Sequence, residues 1–115
     1  MNLPQRLFPL LVLSGCTTIG TVPPPTDWPT LAITERWLPK NEVEAICGKY
    51  APHLMTVRGC AVIHFGSMTC DVYVSRVSTD SATVSHERAH CAGWDHHGET
   101  HLADEWRKWK ETAPR

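Results

Sequence analysis

The chain has 115 residues, a formal net charge of −1 and 20% charged residues, with no basic stripe or charge block, so no nucleic acid is expected among its partners. The length suffices for one small domain and is too short for two. Five cysteines are an odd total, so one of them needs an explanation other than pairing with a second.

Residues 1–15 read as an export signal. Arg6 is followed by the apolar run Leu7-Phe8-Pro9-Leu10-Leu11-Val12-Leu13 and then by small residues before Cys16. The run is too short to span a bilayer. Leu13-Ser14-Gly15-Cys16 resembles the lipobox of bacterial lipoproteins. That resemblance implies that Cys16 is lipidated, becomes the mature first residue and anchors the chain to a membrane. Thr17 in place of an aspartate implies the outer membrane of a diderm bacterium, with the domain facing the periplasm. Several acyl chains would hold it there durably, since one alone binds only marginally.

Residues 16–34, with Pro23-Pro24-Pro25 and Pro29, hold few helix formers and are expected to form an extended tether. The domain is expected over residues 35–115. At that size a hydrophobic core alone stabilises weakly, and staples are needed. With Cys16 set aside, Cys47, Cys60, Cys70 and Cys91 form an even set in an oxidising compartment, which predicts two disulfides with three connectivities open. A thiolate metal site is the alternative, but no C-x-x-C pair is present.

Asn41-Glu42-Val43-Glu44 has the form of a capping box and predicts a short helix that stops at Gly48. Arg58 to Phe65 and Thr69 to Val77 are rich in strand formers around Gly66-Ser67-Met68 and predict a β-hairpin. Cys60, Val62 and His64 then share one face, and Ala61, Ile63 and Phe65 the other. Asp80 is expected to cap a helix from about Ser81 to Ala92. Leu102, Trp106 and Trp109, at i, i+4 and i+7, predict an amphipathic helix that closes the core. The order points to a small α+β domain.

Within the second of these helices, His86-Glu87-Arg88-Ala89-His90-Cys91-Ala92-Gly93-Trp94-Asp95-His96 reads HExxHxxGxxH. Residues four apart advance about 400°, so His86 and His90 project from one helix face and can grip one ion. Glu87 lies about 100° round from His86, within reach of a water held by the metal and awkward for ligation. Gly93 can take the left-handed conformation that ends a helix, letting the chain turn so that His96 swings back as a third ligand. Cys91 points away from His90 and is expected to pin the helix to its neighbours.

This segment resembles the metzincin group of zinc-dependent endopeptidases. The resemblance implies zinc on His86, His90 and His96 with Glu87 as general base. It covers about eleven residues. Met1, Met55 and Met68 all precede the motif, so the methionine turn of that group has no counterpart, and a reduced zincin-like domain is the description that fits. By the same resemblance, the strand from Thr69 to Val77 would lie along an extended substrate.

Other readings stay open. His97 and His101 compete with His96 as third ligand, and Glu105 could serve in their place, although it also reads as a solvated face. Asp95 could orient a ligand imidazole or simply make a turn. Tyr50 and Tyr73 could polarise an oxyanion but read more simply as packing, and His53 and His64 as ordinary surface residues. The functional expectation is a lipid-anchored zinc metallopeptidase of the bacterial cell envelope, hydrolysing peptide or protein substrates. Its rival is a non-catalytic zinc-binding lipoprotein that acts as an assembly module.

Overall fold

A computed structural model describes residues 22–55, 58–77 and 81–114. The export signal, Cys16 and the capping residue Asp80 lie outside the described residues. In chain order come β1 (Ala32–Leu38), α1 (Lys40–Tyr50), a 3-10 turn (Pro52–Leu54), β2 (Gly59–His64), β3 (Thr69–Ser75), α2 (Ser81–Cys91) and α3 (His101–Thr112). Among the described residues the result is an α+β fold with a three-stranded mixed sheet and three α-helices.

The expected hairpin is β2–β3. Its turn runs over Phe65–Met68, closed by the Met68 N–H donating to the Phe65 carbonyl at 3.2 Å, and the left-handed residue is Met68, at φ 56°, rather than Gly66. β3 is the central strand, antiparallel to β2 and parallel to β1. β1 was not expected from the sequence, because nearly all of it is exposed and its residues lack the apolar alternation that marks a half-buried strand. Its presence corrects the expectation for the substrate strand. Both edges of β3 are already paired, so an extended peptide cannot add to it.

Strand alternation sets the layers. Cys60 pairs with Tyr73 and Ile63 with Cys70, so Cys60, Val62, Asp71 and Tyr73 face one side while Ala61, Cys70, Val72 and Val74 face the other. The disulfides Cys47–Cys60 and Cys70–Cys91 therefore hold α1 on the first face and α2 on the second. Arg88 of α2 donates to Glu35 of β1 at 2.8 Å on that second side. The four disulfide cysteines are all buried, alongside Val43, Leu54, Ala61, Val72, Val74 and Leu102. The cysteines thus act as the expected staples, with Cys91 fixing α2 to the central strand.

Two boundaries differ from the sequence reading. Helix α1 starts at Lys40 without a side-chain cap, and the Pro39 carbonyl accepts the N–H groups of Glu42 and Val43. It also runs through Gly48 to Tyr50, held by the buried pair Val43 and Cys47 on one face. The described part of the expected tether is not free either. Val22 bridges to Asp95, the Trp28 indole donates to the Cys91 carbonyl at 3.0 Å, and Leu31 is buried. Trp28 packs edge-on against Phe65 and Trp106, while Asp27 pairs with Lys110. Proline-rich sequence fixes an extended backbone, but Trp28 and Leu31 give that backbone an apolar face to bury. Residues 22–31 are a strap across the ends of α2 and α3.

Candidate metal centre

α2 carries His86 and His90 one turn apart. It ends in a Schellman turn: the Trp94 N–H reaches the Ala89 carbonyl at 3.0 Å and the Gly93 N–H the His90 carbonyl at 2.9 Å, with Gly93 at φ +95°. A side chain at Gly93 would meet strain and steric overlap together, since a Cβ there would lie 2.6 Å from Pro24 Cβ and 2.7 Å from Trp28 Cδ2. Beyond the turn, buried Asp95 accepts the His96 N–H at 2.9 Å through Oδ1 and the Leu102 N–H at 3.1 Å through Oδ2. Asp95 therefore fixes His96 by its backbone and satisfies an orphan donor at the start of α3. Of its two expected roles, the turn-forming one is observed.

The three imidazoles converge. Ring centroids are 5.0 Å apart for His86 and His90, 4.7 Å for His90 and His96, and 5.4 Å for His86 and His96. One ligating nitrogen from each lies within 4.8 Å of the others, and His86 Nε2 is 3.4 Å from His96 Nε2. Two rings are held at their far nitrogen. His90 Nδ1 donates to the Trp94 carbonyl at 2.9 Å, and His96 Nδ1 to Glu99 Oε1 at 2.9 Å. Those partners accept only, so Nδ1 carries the proton and Nε2 presents its lone pair. His90 Nε2 is buried with no hydrogen-bond partner among the described residues, an arrangement that costs free energy unless something else satisfies the nitrogen.

Burial first, and after it the neighbouring rings of His86 and His96, bring the His90 pKa down to about 4 against the upward pull of its bond to Trp94. Burial first, then His96, lowers that of His86. Both rings are therefore neutral near pH 7, the form that binds metal. A set of three imidazoles suits zinc and its neighbours in the first transition row, and the bare, buried Nε2 of His90 fits an ion at their centre. The group is able to hold a metal ion.

Glu87 has no solvent exposure and sits on α2 directly after His86. Among the competing ligands, His97 is exposed and outside the cluster. The His101 ring lies 4.8 Å from His53, and Glu105 pairs with His53 at 3.2 Å, so neither is the third ligand of this group. His64 pairs with Asp71 at 3.3 Å. Tyr73 faces the α1 side of the sheet, with its pKa raised chiefly by burial, and Tyr50 is exposed under Lys49. Neither serves the histidine cluster on the opposite face. The residue that sequence reasoning missed is Glu99, and the signal that could have found it is its offset of three from a ligand histidine, within reach of Nδ1.

Compared with protein-family models, with curated proteins and with solved structures, the chain matches none.

Proposed function

We propose that His86, His90 and His96 hold a zinc ion, and that the chain is a zinc-dependent peptidase of the bacterial cell envelope, anchored by lipid on Cys16. The convergence of one ring nitrogen from each of three histidines, with two of the rings oriented by bonds at Nδ1, carries this reading. When bound, zinc supplies Lewis acidity, polarising a carbonyl and drawing the pKa of water towards about 7. The protein's own part falls to Glu87, whose carboxylate accepts the proton of the attacking water and passes it to the leaving amine. Simple metal binding needs no carboxylate at that position.

Two observations favour the second reading, a zinc-binding envelope lipoprotein that hydrolyses nothing: β3 has no open edge for a peptide, and Glu87 is fully buried. The experiment that separates the readings is digestion of a peptide library by the metal-loaded mature chain, with and without chelator. Cleavage that stops on chelation supports the peptidase, while stoichiometric zinc with no cleavage leaves the binding module. Among the described residues no helix is long and apolar enough to cross a membrane, and the anchor is tested separately. Cys16→Ser should release the protein from membranes or block its maturation, and an unmodified Cys16 by mass spectrometry would remove the anchor from the proposal.

A further inference from the structure

The connection between the second and third histidines is held from outside by the strap, at Cys91, Gly93 and Asp95. The Cys91 carbonyl, at the open end of α2, accepts the Trp28 indole N–H at 3.0 Å, which satisfies a group that helix geometry leaves without an intrahelical donor. Gly93 lies bare against the rings of Pro24 and Trp28, where a Cβ would come within 2.6 Å and 2.7 Å of their carbons. Asp95 exchanges backbone bonds with Val22, its N–H reaching the Val22 carbonyl at 3.0 Å and the Val22 N–H returning at 3.4 Å. The next residue is His96, whose N–H the Asp95 carboxylate accepts.

We propose that residues 22–31 latch the metal centre, with Trp28 as the chief positioning residue: docked, they present His96 to His86 and His90, and undocked, they leave a two-histidine site that releases its ion. The proposal rests on the reading of the three histidines as a metal centre. His86 and His90 need no latch, because one helix carries both and Cys91 ties that helix to β3. His96 lies beyond the helix. Glu99 orients its ring and Asp95 joins its backbone to the start of α3, while the strap presses the intervening turn onto the end of α2. The strap is also built to let go. It contains no cysteine, and all of its residues except Leu31 are exposed or half-buried. An open pocket of about 560 Å³, bounded by Pro25 and Pro29 of the strap, Ile33 of β1 and Ala92, remains on its inner side, so much of its length is not close-packed. Segments with few buried contacts are those that open locally while the rest stays folded. Coupling of this kind is reciprocal, so a docked strap raises zinc affinity and bound zinc tightens the strap by the same factor.

The test measures zinc affinity by chelator competition on the mature, disulfide-intact chain, for wild type, Trp28→Phe and Trp28→Ala. Trp28→Phe keeps a ring beside Phe65 and Trp106 but loses the donor to Cys91, and should weaken zinc binding about 5-fold or more. Trp28→Ala also uncovers Gly93 and should weaken it by up to about 150-fold, the span usual for coupled sites. Hydrogen exchange on the wild type adds a measurement that needs no variant to fold. One equivalent of Zn²⁺ should slow exchange of the Trp28 indole N–H and the Asp95 amide more than that of the α1 amides, a selectivity that a merely structural tryptophan would not show. Equal zinc affinity in wild type and Trp28→Phe, or exchange at Trp28 and Asp95 indifferent to zinc, would overturn the latch and leave the three-histidine centre standing. A wild type that binds no zinc, or zinc retained in full by His90→Ala, would overturn the centre and the latch with it.

Discussion

Glu99 Oε1 lies 2.9 Å from His96 Nδ1, and this contact fixes which nitrogen of the third histidine faces His86 and His90. A carboxylate at the far nitrogen also fixes the tautomer and orientation of a ligand imidazole. Glu99→Ala should therefore weaken zinc binding about 10- to 100-fold with little change in folding, since Glu99 is part-exposed and touches no core residue in this bond. Zinc titration against a competing chelator measures it, and unchanged affinity would show that His96 is held without Glu99.

The depressed pKa of His90 makes the metal-free domain acid-sensitive in a defined window. Above about pH 6.5 the ring is neutral both folded and unfolded, and the full stability is present. As the pH falls from about 6.5 towards about 4, the unfolded chain takes up a proton that the folded chain does not, so stability is lost, on the order of 3 kcal/mol in all. Below about 4 this contribution is exhausted. Urea unfolding of apo protein across that range checks the sign, and a midpoint independent of pH would contradict it.

Gly93→Ala should destabilise the domain by at least about 1–2 kcal/mol, the cost of a left-handed alanine, with the overlap at Pro24 and Trp28 added to it. Because the same turn delivers His96, zinc affinity should fall as well. Thermal melts and zinc titration together check this, and a variant equal to wild type in both would mean that the turn tolerates a side chain.

Replacing Cys70 and Cys91 by alanine removes a cross-link spanning 21 residues, which should cost about 3 kcal/mol. The bond ties the residue after His90 to the central strand, so the variant should also bind zinc less tightly. Denaturant unfolding of the oxidised wild type against the double variant measures the first effect, and equal midpoints would count against it.

Patterned and chemically specific features of this chain were legible before the fold was seen. The hairpin alternation, the i, i+4, i+7 apolar face of α3, the even cysteine set and the histidine spacing each depend on local geometry that sequence spacing encodes. The three rings do converge as that spacing implies. What escaped depends on tertiary partners. β1 carries no periodic signal because its exposed residues owe their conformation to pairing with β3. The strap of residues 22–31 looked like a tether because its prolines speak for an extended backbone and say nothing of what Trp28 covers. The capping box at Asn41 failed because Pro39 already offered a carbonyl for the first turn. Glu99 was overlooked because a part-exposed loop glutamate is distinctive only once the ring beside it has a direction.

Glu87→Gln divides the two functional readings at one residue. As peptidase, the protein should keep its zinc and lose about 10²- to 10⁴-fold in turnover, because an amide cannot accept the water's proton. Cleavage unaffected by the change would exclude Glu87 as the base.

The central claim is that three imidazoles share one ion, and X-ray absorption at the zinc edge tests it most directly, on mature protein loaded with a single equivalent. The predicted spectrum has three imidazole nitrogens at about 2.0–2.1 Å and one oxygen donor, collapsing to a different ligand set in His90→Ala. A sulfur shell at about 2.3 Å, fewer than three imidazoles, or a spectrum unchanged by His90→Ala would contradict it.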